Sequence, residues 1–252
     1  ALCNFSIDLE RVERGKEGLA ALEEAVAVRR KLAEAAPEDH LSGLANWLNI
    51  LSIRLERVGR VEEGLAAIQE AVALYRELAE AAPADYLPDL ADALYNFSID
   101  LEREGRVEEG LAAIQEAVSI RRELAEMAPE DYLPDFAGAL YNFSIDLREV
   151  GRVEEALAAI QEAVALYREL AETAPADYLP DLADALYNFS IDLEREGRVE
   201  EALAAIQEAV SIRRKLTEAA PETHLSGLAN WLKSFYIWLE RVRKALRLSS
   251  RQ

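Results

Sequence analysis

The sequence repeats itself every 46 residues, and a chain built this way must fold as a row of similar units. Residues 95–140 and 141–186 are identical at 35 of 46 positions. The same period brings Pro37, Pro83, Pro129, Pro175 and Pro221 into register, and with them Gly59, Gly105, Gly151 and Gly197. Five periods fill most of the 252 residues, at 1–48, 49–94, 95–140, 141–186 and 187–232, with a partial repeat or capping helix at 228–248. A double period is also visible, because Tyr75 and Tyr167 alternate with Arg29, Arg121 and Arg213. Residues 40–48 and 224–232 share a different ending, HLSGLANWL. Identity at this level points to recent duplication, gene conversion or deliberate engineering.

Each period encodes two helices. In the third, Leu90, Leu94, Phe97 and Leu101 recur at helical spacing, Gly105-Arg106 interrupts, and a second stripe follows through Val107, Leu111, Ile114 and Val118. The second helix runs for about 20 residues and stops before Pro129, on the expected length of such elements. The segment APEDYLP then reads as an inter-repeat loop holding the prolines. Ala, Leu and Glu dominate, and there is no strand signal. One such pair cannot bury its apolar stripe alone, whereas stacked pairs can. The expected fold is all-α, a single solenoid domain over 1–252 with about eleven helices and one continuous core.

Charge and composition exclude several functions. Asp and Glu number 48 against 28 Lys and Arg, a formal charge of −20. Nucleic acid and anionic membranes reward basic faces, so neither is an expected partner. The longest stretch free of Asp, Glu, Lys and Arg covers residues 40–53, well short of the roughly 20 residues a membrane span needs. No signal peptide is visible, so a cytoplasmic chain is expected, and its start in mid-pattern reads as an excised or an engineered piece. Cys3 is the single cysteine, and the histidines are His40 and His224 only, each expected in a loop as a packing aromatic. No metal site, cofactor site or catalytic constellation is expected, and the Glu108-Glu109 type of pair reads as an acidic helix start.

The helical units resemble tetratricopeptide repeats (TPRs). Leu94, Phe97, Ser98 and Leu101 stand where that pattern has Trp, Leu, Gly and Tyr, followed by Gly110, Ile114 and Ala117 for Ala, Phe and the late alanine. Twelve extra residues per repeat lengthen the second helix and the loop. Enlarged repeats of this kind are similar to those of bacterial and fungal multidomain signalling proteins. The resemblance implies a right-handed superhelical solenoid of antiparallel helix pairs, with the first helices on a concave surface. It also implies that Asn96, Asn142 and Asn188, with Asn4 before them, reach the backbone of an extended peptide, for which an amide offers both donor and acceptor. Tyr95, Tyr141 and Tyr187 would line the same groove, and Ile99, Ile145 and Ile191 would supply apolar anchors. The alternative is that Asn and Tyr pack between helices. The basic clamp of chaperone-binding relatives is replaced by Asp92, Gly138 and Asp184. The expected partner is therefore a neutral or basic protein or peptide segment, extended or helical.

Two features stand apart. The alternating Arg121/Tyr167 position suggests guanidinium-on-phenol stacking between successive repeats. The C-terminal helix carries Trp231, Phe235, Tyr236 and Trp238 beside several Lys and Arg residues, which suits either a cap or a self-association surface. The function expected from all this is a protein-interaction scaffold, the sensor or adaptor part of a larger signalling protein. The competing expectation is a structural spacer or self-assembling array with no groove ligand.

Overall fold

The computed structural model describes residues 15–222 together with Tyr236. Among the described residues there are nine helices, each of 21 residues, and no strand. They are α1 (Gly15–Ala35), α2 (Pro37–Arg57), α3 (Val61–Ala81), α4 (Pro83–Arg103), α5 (Val107–Met127), α6 (Pro129–Glu149), α7 (Val153–Thr173), α8 (Pro175–Arg195) and α9 (Val199–Ala219). The expectation of about eleven helices counted two more, one before residue 15 and one within 228–248. Both lie outside the described residues, as do Cys3, Asn4, His224, Trp231, Phe235 and Trp238.

Two kinds of turn alternate, and each follows from local chemistry. The first joins α2 to α3, α4 to α5, α6 to α7 and α8 to α9. Its glycine takes φ between 74° and 81°, a left-handed backbone that side chains disfavour. The next residue, always Arg, donates its backbone N–H to the carbonyl five residues back, as Arg106 does to Leu101 at 2.8 Å. This is the Schellman arrangement that satisfies the orphan carbonyls of a helix end. The same arginine then turns its guanidinium to the carboxylate three residues on, Arg106 to Glu109 at 2.6 and 2.8 Å, at the first turn of the next helix. Arg60, Arg152 and Arg198 repeat the pairing with Glu63, Glu155 and Glu201.

The second turn is one residue long. Ala36, Ala82 and Ala174 stand alone between helices, at φ −145° to −134° and ψ 73° to 80°, each followed by a proline at the first helical position. A residue before proline is pushed out of the right-handed region, so helix breaking and helix starting occur together. The segment expected to be a loop is therefore helix. Pro88, Pro134 and Pro180 lie inside α4, α6 and α8. His40, expected in a loop, sits in α2, at the place that Tyr86, Tyr132 and Tyr178 hold in the corresponding helices. The residues beyond a standard repeat lengthen both helices of each pair rather than the loop.

The helices group into two compact units that divide between Met127 and Ala128. In the first, α1 packs on α2, α2 on α3, α3 on α4 and α4 on α5, and α2 also touches α4 directly. Leu22, Leu48, Ile68, Leu94, Leu101 and Ile114 are its most fully buried large side chains. In the second, α6 packs on α7, α7 on α8 and α8 on α9, around Leu147, Ile160, Leu186, Leu193 and Ile206. Each such leucine or isoleucine contributes about 1.5–3 kcal/mol of burial. The repeat-signature residues Leu94, Ser98, Leu101, Gly110, Ile114 and Ala117 are all buried. Glycine at 110 is a packing choice, since an added Cβ would lie 3.1 Å from the Ser98 carbonyl oxygen. Bidentate pairs tie successive second helices along an exposed rim: Arg30 to Glu70 and Arg76 to Glu116 in the first unit, Arg168 to Glu208 in the second.

Candidate protein-interaction face

The described residues expected to meet a partner lie on the first helix of each pair, α4, α6 and α8, and all are half-buried except Asp92, which is exposed. Within each unit the asparagine spans two such helices. Asn96 of α4 donates from Nδ2 to Oδ1 of Asn49 on α2 at 2.9 Å. Asn188 of α8 donates from Nδ2 to the Tyr141 hydroxyl of α6 at 2.9 Å and to the Asp184 carbonyl at 3.2 Å. Its Oδ1 accepts from Arg148 at 2.9 Å. Asn49 and Tyr141 occupy the same position of their repeats, so the two units use one device with different acceptors. Asn142 is half-buried on α6.

The tyrosines are also engaged. Arg121 of α5 places its guanidinium 5.9 Å from the ring centre of Tyr95, and Arg29 lies 5.4 Å from that of Trp47. Burial, reinforced by the Asp184 carboxylate, pushes the Tyr141 hydroxyl above its ordinary range, despite opposing help from Arg148 and Asn188. Tyr187 is half-buried. Asp92 and Asp184 are paired with arginines of their own second helices, Asp92 with Arg121 at 2.6 Å and Asp184 with Arg213. Within its unit, Arg213 finds a carboxylate and the Pro180 carbonyl as polar partners, not a phenol. The alternating Tyr75 and Tyr167 are buried, and burial followed by nearby aspartates raises their hydroxyls.

Ile99, Ile145 and Ile191 are half-buried as well. In the first unit Asn96 and Ile99 line an open cleft of about 490 Å³ between α2 and α4. Ile53, Glu56 and Arg57 form its α2 wall, Asp100 and Arg103 complete the α4 wall, and Val61 closes the α3 end. Asp100 is 3% exposed. Burial first, and the Glu56 carboxylate beside it second, push the Asp100 carboxyl up to about 8. Burial works on Glu56 in the same sense, but hydrogen bonds from Asp100 and Arg103 outweigh it and hold Glu56 below its ordinary range. Arg103 donates to Oε2 of Glu56, while Oε1 is buried with no N–H donor.

The second unit places different chemistry at the equivalent positions. Arg148 stands where Glu56 does and Asp192 where Asp100 does, and they form an ion pair at 3.3 Å with the arginine 11% and the aspartate 0% exposed. The buried aspartates were not singled out from sequence. Their signal was an acidic residue on the apolar stripe, seven residues beyond Ala93 and next to Leu101. Among the described residues no cluster of three His, Cys, Asp or Glu could hold a metal ion, and no helix is long and apolar enough to cross a membrane. Tyr236, the described member of the C-terminal aromatic group, is helical and 63% exposed.

Comparison with known proteins places this geometry among helical-repeat proteins. Residues 136–176 and 182–220 match the tetratricopeptide repeat model, and residues 46–87 and 90–134 match that of anaphase-promoting complex subunit 5. TPR-type repeats are therefore present. Each match to the first begins inside α6 or α8, so the opening turns of those helices precede the family's unit. A Podosopora anserina protein assigned as a kinesin light chain, with nearly identical TPR-like repeats, superposes with a TM-score of 0.65 at 17% identity, over 85% of this chain and 94% of that one. RapI in its apo form gives 0.65 at 15% identity over 96% and 83%. MamA from Desulfovibrio magneticus RS-1 gives 0.55 at 16% over 85% and 94%. These likenesses are of fold. No curated protein sequence matches.

Proposed function

We propose that the chain is a non-enzymatic protein-interaction array that receives a neutral or basic, extended or helical protein segment along the face of its first helices. The single observation that carries this reading is the α2–α4 cleft, where the Asn96 amide, Ile53 and Ile99 line an opening above a buried pair of carboxyl groups. An extended chain can place a backbone amide on Asn96 and an apolar side chain between Ile53 and Ile99, a mode in which backbone contacts give affinity and pockets give specificity. The charge of −20 favours neutral or basic segments. In this reading the enlarged repeats act as the sensor or adaptor part of a cytoplasmic signalling protein.

A second reading, a spacer or self-assembling array, is favoured by a different observation. The amides of Asn96 and Asn188 already hold neighbouring helices together, and Tyr236 presents an exposed aromatic ring. The discriminating experiment is a pull-down with the parent chain beside an Ile99→Ser, Ile145→Ser, Ile191→Ser variant of confirmed helicity, with sedimentation of both. Proteins retained by the parent and lost from the variant support the interaction face. Identical recoveries sink that reading, and association of both chains with themselves supports the second.

A further inference from the structure

Among the described residues two aspartates are buried, and they are met differently: Asp192 pairs with Arg148, whereas Asp100 faces another acid, Glu56. Glu56 and Asp100 lie within hydrogen-bonding reach of each other across α2 and α4, where no mainchain hydrogen bond links the helices. One oxygen of Glu56 is buried without a donor. The same position in the second unit is solved with Arg148, which needs no proton. Two buried carboxylates in contact cannot both stay ionised, whereas a carboxylic acid facing a carboxylate fills the vacant acceptor.

We propose that Glu56 and Asp100 share one proton and form a pH-sensitive latch between α2 and α4, closed while Asp100 is protonated and loosened when that proton leaves to solvent. The groups facing the pair are few. From α2 come Glu56 and Arg57, and from α4 itself comes Arg103. The α3 helix contributes Val61, and α5 places Gly110 against Ser98 and Glu102 and lines no part of the cleft. Arg103, 58% exposed, neutralises one charge and not two.

The sign follows from proton counting. The Asp100 carboxyl titrates near 8 when folded and near its ordinary value when unfolded. Between those values the folded chain holds the extra proton, so its stability falls as pH rises towards 8 and levels off above. Glu56 acts in the opposite sense near its own lower range, so the fall belongs to the upper part of the window.

The test is urea unfolding of the whole chain from pH 5 to pH 9 beside Asp100→Asn, whose amide donates to Glu56 at every pH. The unfolding constant of the parent relative to this variant is expected to grow by about tenfold or more between pH 5 and pH 8 and then flatten. Asp192→Asn serves as the comparison: burial raises the Asp192 carboxyl too, but Arg148 opposes it, so the parent-to-variant ratio is expected to grow less than with Asp100→Asn. Should Asp100→Asn fail to fold, Glu56→Gln is read the same way, since its amide donates to the Asp100 carboxylate. Hydrogen exchange corrected for intrinsic rates should show α2 and α4 losing protection with rising pH in the parent and not in the variant. A parent-to-variant ratio that stays constant with pH in both variants overturns the latch.

Discussion

Asn188 shows how a polar side chain becomes part of the frame. Its amide gives hydrogen bonds to Tyr141 and to the Asp184 carbonyl and accepts one from Arg148, which uses most of what an amide can offer. Tyr141→Phe removes one acceptor and leaves the ring in place. The expected cost is about 0.5–1.5 kcal/mol, the usual net worth of such a bond. A shift of the urea midpoint at unchanged slope would measure it, and an unmoved midpoint would show that Asn188 is content without the hydroxyl. The buried serines behave differently. Ser52, Ser98, Ser144 and Ser190 each donate to the carbonyl three residues back, so they satisfy themselves within their own helix.

At the scale of the helix, proline placement is the main departure from the reading of the sequence. Prolines five residues apart look like loop punctuation, yet Pro83 starts α4 and Pro88 lies within it. The internal proline deletes one helical hydrogen bond, and the buried run Leu90, Ala91, Ala93, Leu94 and Leu101 that follows outweighs it. Pro88→Ala restores that bond, and Ser42 already stands at this position in α2. The variant is expected to be more stable by about 1 kcal/mol or more. A lowered melting temperature would mean that the ring packs better than the missing bond costs. The Gly-Arg-Val-Glu-Glu turns, the second-helix limits and the all-helical class were legible because local rules decide them. The interhelical asparagine partners and the Glu56–Asp100 contact were not, because they join residues 40 to 47 apart, and periodicity says which face a residue takes without saying what stands opposite.

On the scale of the whole molecule, charge is the dominant fact. With 48 acidic and 28 basic side chains, the folded chain concentrates a net −20 that the unfolded chain spreads out. The rim pairs are 37% or more exposed, so salt weakens only a modest contribution there. Net repulsion is screened more. The melting temperature is therefore expected to rise between 10 mM and about 300 mM sodium chloride, where the Debye length drops from about 30 Å to below 8 Å. A fall over that range would show that the ion pairs outweigh the repulsion.

The single alanine between one pair and the next carries a consequence for how such a chain can change length. Each residue of a helix advances the side chains by about 100°. With only Ala36, Ala82 or Ala174 between two helices, there is no slack to absorb an odd insertion. One extra residue would turn every apolar stripe beyond it away from its neighbour. Gain or loss of a whole module, cut at an Ala-Pro junction, leaves every phase untouched. The splice that makes the array stiff against small edits thus makes it permissive to large ones, and near-identical copies set end to end are what such a joint tolerates.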